Sequence, residues 1–121
     1  MPQVTAAALA SENKVLAHPA SVDSITTSGN KEDYVSMGMA AALKLERVVA
    51  NTTCVMAIEA AAAAQAIDFL APLKTSPRLQ KVHAEIRAVS SRIDHDRVLA
   101  DDFVRLAQIV DEGKLARALA E

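Results

Sequence analysis

Between Gln3 and Ala17 the apolar side chains Val4, Ala8, Val15 and Leu16 are set among strong helix formers, which predicts a first helix of about four turns. His18-Pro19 stops it, because a residue preceding proline is pushed out of the α region. A polar run follows, and a second helical pattern starts near Lys31 or Glu32 and continues without proline to Phe69 or Leu70, roughly 55 to 60 Å of helix. Between Cys54 and Ile67 its only polar side chains are Glu59 and Gln65. A helix apolar nearly all round is buried on all sides. The rest of a short chain is too small to wrap its whole length, so other copies of the chain or another partner are expected to cover part of it.

Pro72 ends that helix, and Thr75 or Ser76 is the expected N-cap of a third, with Pro77 at its first position. Leu79, Val82, Ile86, Val89 and Ile93, spaced by three and four, predict a helix over 77–93. The "DHDR" stretch interrupts the pattern. A fourth helix is expected from Leu99 or Asp101 to Leu119, with Phe103, Leu106, Ile109 and Val110 facing inward and Gly113 marking an early end or a bend. No stretch alternates as a strand would. The expected fold is all-α: one domain over 1–121, a bundle of about four helices around one long central helix, completed by oligomerisation.

Composition sharpens this picture in two respects. Aromatic residues make up only 2% of the chain, so the core must be built from alanine and aliphatic side chains, which suits closely approaching helices better than sheets. A net charge of -2 leaves no basic footprint, and nucleic acid is not expected as a partner. No uninterrupted apolar run of membrane-spanning length occurs and no charged segment precedes an apolar stretch at the N-terminus, so the expectation is a soluble, cytoplasmic chain with no membrane partner. Cys54, the single cysteine, reads as a small buried hydrophobe. His18, His83 and His95 form no i, i+4 pair and have no cysteine nearby, so no metal site is expected and solvated or capping roles are.

The polar run over 18–38, "HPASVDSITTSGNKEDYVSMG", is longer than a connection between two helices requires, and such runs are functional or disordered. It lacks the glycine and lysine spacing of a phosphate loop. Glu32 is a candidate general acid or base if the loop shields it, while Glu32 and Asp33 together also suit a helix N-terminus, where acids meet the positive end of the dipole.

The segments "QVTAAALASENKVLAHPASVDSITTSGNKEDYVSMG", "AALKLERVVANT" and "AIEAAAAAQAIDFLAPLKTSPRL" resemble the C-terminal part of histidine ammonia-lyase and the related aromatic amino acid lyases and aminomutases, in the family's order, from about Gln3 to Asp102. The resemblance implies elimination of ammonia from an aromatic amino acid by an electrophilic methylidene-imidazolone (MIO), made from an internal Ala-Ser-Gly in a much earlier part of the chain. That triplet does not occur here. It further implies tetramers around a long helical bundle, with each active site built from several chains. Glu32 in "NKED" matches the active-site glutamate of the family's "NQED". Lys31 stands where the family usually has glutamine and sets a positive charge beside it. Ser28, Asn30 and Lys31 are carried over as binding positions on the same loop, and Tyr34 occupies a variable position. Thr27-Ser28-Gly29 looks like the cyclising tripeptide, and Leu70-Ala71-Pro72-Leu73 like the sequence that follows it. They lie too far apart here, and Ser28 is not expected to cyclise.

Three functions follow as expectations. The chain is a truncated lyase-like module that self-associates through the long helix over 34–69 and has no lyase activity alone. Alternatively it is one part of a split lyase, contributing Glu32 to deamination of histidine or another aromatic amino acid. A third reading has it dock onto complete lyase chains through the same surface.

Overall fold

The computed structural model describes residues 2–120. Five α-helices make up the architecture: α1 (Pro2–Leu16), α2 (Gly38–Phe69), α3 (Pro77–Val89), α4 (Ala100–Asp111) and α5 (Lys114–Ala120), with a 3-10 turn at Ala20–Val22. Among the described residues the only β-type pairing is an isolated bridge, Thr27 with Glu32. The all-α expectation and the dominance of one long helix agree with this arrangement.

Helix α2, about 48 Å long, carries the rest of the domain. Both α1 and α4 pack along it, and side-chain bonds fix their directions. Asn51 donates to Glu12 and Asn13 near the end of α1, and Thr53 donates to Asp111 at the end of α4. The starts of both helices lie toward the other end of α2, where Pro2, Leu99 and Phe103 line one apolar groove with Ala62, Ala66 and Phe69. Helices α1 and α4 therefore both run antiparallel to α2. The core is a seam of Ala57, Ala61 and Ala64, spaced by four and three on one face of α2, packed with Ile86, Leu106 and Ile109. Small side chains on α2 let its neighbours approach closely.

Helix α1 forms as expected, with Val4, Ala8 and Val15 exposed and Ala6, Leu9, Asn13 and Leu16 more sheltered. Three expectations change. Helix α2 begins at Gly38 rather than at Lys31 or Glu32, because residues 32–35 are tied back to 24–27 by the isolated Thr27–Glu32 bridge and by the Ser24 hydroxyl on Val35. Glu32 and Asp33 consequently lie outside the first helical turn, and the dipole explanation for them falls. Helix α3 stops at Val89, since Ile93 leaves the helix to pair both its N–H and its C=O with the side-chain amide of Gln65. The fourth predicted helix is two: Gly113, at φ 68, takes the left-handed conformation that ends α4 and α5 starts beyond it. At the N-terminus of α3 the cap is Ser76, whose hydroxyl accepts the Leu79 N–H.

The predicted all-round burial of α2 is only partly met within this chain. Ala57, Ile58, Ala61 and Ala64 are buried, whereas Met56, Ala62, Ala63 and Ala66 are exposed. A compact chain of this mass exposes about 6,300 Å²; this one exposes 8587 Å². By length and composition α2 is apolar enough to cross a membrane. Its Lys44, Asn51, Thr53, Gln65 and Asp68 side chains all bond to other parts of the domain, as in the central helix of a helical bundle.

Leu106 is fully buried against the alanine seam. Leu106→Ala is expected to destabilise the domain by about 2–5 kcal/mol in urea denaturation. Leu79→Ala, at an exposed position of α3, should cost well under about 1 kcal/mol in the same experiment.

Candidate functional site

The loop between α1 and α2 is built from local chemistry. Pro19 follows the helix stop, the 3-10 turn carries the chain to an extended Asp23, and the two arms then meet in the Thr27–Glu32 bridge. The Thr27 N–H donates to the Glu32 carbonyl at 3.0 Å, and the Glu32 N–H to the Thr27 carbonyl at 3.4 Å. Between them Ser28, Gly29 and Asn30 all have positive φ, at 57, 64 and 65°. Glycine adopts this region freely and asparagine tolerates it, but a serine held there is strained by about 1–3 kcal/mol, and such strain clusters at functional sites.

All four sequence-derived site residues, Ser28, Asn30, Lys31 and Glu32, are thus brought together at one exposed tip. The Glu32 carboxylate accepts from the Thr27 hydroxyl at 3.2 Å through Oε2. Its other oxygen has no partner among the described residues and is open to an incoming donor. Lys31 makes no ion pair among the described residues. Tyr34 is 99% exposed. At the base of the loop, beside the start of α2, lies a cleft of about 770 Å³ lined by Pro19, Val22, Ser24, Tyr34, Val35 and Met37 among others; Glu32 stands beyond it. This chain therefore presents a carboxylate without enclosing it.

The loop is tied to the helices rather than packed into them. The Lys44 ammonium donates to the His18 carbonyl. Below that contact, Arg47 pairs with Glu12, and Asn51 bridges Glu12 and Asn13 at 2.9 and 3.0 Å.

Sequence reasoning missed Thr27 and Ser24, whose bonds depend on the loop folding back on itself. It also missed two ion clusters at the far end of α2. Asp68 accepts from Arg87 at 2.7 Å and faces His83 Nε2 at 2.8 Å, so His83 is neither solvated nor a cap as expected. Burial pushes the Asp68 carboxyl up, but the hydrogen bonds and charges of Arg87 and His83 outweigh it and hold it below the ordinary range. Asp102, 3% exposed, accepts from Ser90, Arg97 and Arg105. The Arg97 bond above all, opposed by burial and aided by Ser90 and the charges of Arg97 and Arg105, lowers its carboxyl to about 2. Arg105 stands three residues from Asp102 on α4, an ordinary helical pairing, but Ser90, Arg97 and the partners of Asp68 come from other helices and loops. Cys54 is half-buried and lines a groove against Phe103 and Ala107 of α4.

This helical scaffold, with one strapped, acid-bearing loop held out from it, has recognisable relatives. The family profile described as aromatic amino acid lyase matches residues 1–88, and the chain belongs to that family. It is 71% identical over 118 residues to the histidine ammonia-lyase of Koribacter versatilis (strain Ellin345), covering 98% of this chain and 23% of that one. The crystal structure of histidine ammonia-lyase from Trypanosoma cruzi superposes with a TM-score of 0.92 at 44% identity, over 97% of this chain and 23% of that one. Tyrosine aminomutase from Streptomyces globisporus gives 0.91 at 34% identity, over 98% and 22%. The chain thus spans under a quarter of the length of the relatives it matches.

The lowered Asp102 carboxyl makes stability depend on pH in a defined direction. Its folded value of about 2 lies below its ordinary 3.8, so its contribution is complete above about pH 4 and is lost as pH falls toward 2. Denaturation at pH 5 and pH 2.5 should show a loss of about 2 kcal/mol attributable to this group, and Asp102→Asn should flatten that part of the profile.

Proposed function

We propose that this chain is the Glu32-bearing segment of a histidine ammonia-lyase-type assembly: alone, a self-associating helical module without lyase activity. The observation that carries this reading is the strapped but open carboxylate, Glu32 held by Thr27 at 3.2 Å with its other oxygen free. The chain contains no Ala-Ser-Gly, so the electrophile that the family uses comes from outside these 121 residues. Where present, that group would supply an electrophile for the substrate amine; Glu32 would receive or return a proton, or hold the substrate ammonium, from the face the loop presents. Ser28, Asn30 and Lys31, on the same tip, are the proposed binding positions.

Self-association is supported by the surface. The exposed area exceeds that of a compact chain of equal mass by roughly 2,300 Å², more than the ~800 Å² one partner contributes to a standard interface. Ala62, Ala66 and Phe69 on α2 line an apolar groove with Leu99 and Phe103. We place this face in contact with other copies, or with the α2-equivalent of a lyase chain, and retain the cytoplasm as its location.

A second reading, the partner-dependent lyase, is favoured by the 71% identity to a histidine ammonia-lyase across the loop as well as the helices. In it the same chain meets a separate one that carries the electrophile, and deamination of histidine or another aromatic amino acid resumes.

Light scattering of the purified chain is expected to give a dimer or larger species, and Ala62→Glu to reduce it to a monomer; an unchanged assembly would remove this face from the interface. The chain alone should form no conjugated acrylate from histidine, tyrosine or phenylalanine. Mixed with a complementary lyase segment that carries Ala-Ser-Gly, the second reading expects activity that Glu32→Gln lowers at least about 100-fold. Absence of activity in that mixture would leave the self-associating module as the function.

A further inference from the structure

The two arms of the loop share one register. Thr27 pairs with Glu32, and three residues back on one arm and three forward on the other, Ser24 meets Val35. Only the first of these is a backbone rung. In a continuing antiparallel hairpin the next backbone-bonded pair would be Ile25 with Tyr34. Among the described residues no backbone bond joins them, and both side chains are exposed. Between tip and base the arms are held by one side chain. The Ser24 hydroxyl accepts the Val35 N–H at 2.9 Å, and its own proton points to the carbonyls of Val35, at 3.4 Å, and Asp33, at 3.5 Å. Ser24 is sheltered while its neighbours Asp23 and Ile25 are exposed. Val35 lies three residues before the first residue of α2, so whatever fixes Val35 ties the whole hairpin to the start of that helix.

We propose that Ser24 is a positioning residue for Glu32: its hydroxyl replaces the missing rung at the base of the hairpin and so gives the carboxylate one place relative to α2. The significance for catalysis rests on the reading of Glu32 given above; the clasp itself does not. A hydroxyl is required, since it must accept from an N–H and donate to a carbonyl at the same point, which alanine cannot do and threonine can.

The test uses the complete 121-residue chain, isotope-labelled, in solution. Ser24→Ala should accelerate hydrogen exchange of the Val35 amide at least tenfold and weaken the cross-arm contact between Thr27 and Glu32, while α2 amides keep their protection. Ser24→Thr should restore both signals. An unchanged Val35 exchange rate and an intact Thr27–Glu32 contact in Ser24→Ala would overturn the proposal, as would general loss of helicity, which would make Ser24 a residue of the fold at large. Failure of the underlying reading looks different: Glu32→Gln would leave deamination by the complemented lyase intact while Val35 remained sensitive to Ser24→Ala.

Discussion

The close approach of helices along the alanine seam of α2 is the constraint on which everything else depends. Ala57, Ala61 and Ala64 let α3 and α4 come near enough for Ile86, Leu106 and Ile109 to close over them. Alanine contributes little apolar area, so a core of this kind is thin and gains less from burial than one of leucine or phenylalanine would. Directional bonds supply what the seam lacks. Asp68 with Arg87 and His83, and Thr53 with Asp111, set α3 and α4 at fixed points along α2, and Asp102 with Ser90 and Arg97 ties the end of α3 to α4.

The same logic places the loop. Helix α1 lies along α2, and polar bonds of Glu12 and Asn13 with Arg47 and Asn51 fix its position near the loop's origin. The loop leaves from a fixed point, returns through Val35 to another, and presents its acid outside the bundle. An enclosed site would need walls that the described residues do not build around Glu32; the exposed apolar groove lies toward the other end of α2, at Ala62, Ala66 and Phe69.

Much of this was legible in the sequence because it follows from local rules. The helix stop at His18-Pro19, the cap at Ser76 with Pro77 behind it, and the inward set of Leu106 and Ile109 come from proline, serine and a spacing of three and four. The family resemblance, too, lay in contiguous stretches. What was not legible depends on contacts between residues far apart. The late start of α2 at Gly38 follows from Thr27 capturing Glu32, and the early end of α3 from Gln65 capturing Ile93. The buried face of α1 was not legible because Val4 and Val15 stand on one side of the helix and Leu9 and Leu16 on another, and spacing alone does not choose between two apolar sides until a neighbour is present. The role of His83 was hidden by the fifteen residues separating it from Asp68.

The hairpin that carries Glu32 is also a lever. Its fulcrum is the clasp at Ser24 and Val35, and its free end lies three residue pairs away, about 10 Å for an extended chain. A rotation of about 6° at the fulcrum displaces the carboxylate by about 1 Å. Substitutions in α1 or the first turns of α2 therefore move the carboxylate through angle alone. Selection on such positions would be governed by the straightness of a helix pair rather than by contact with what it serves.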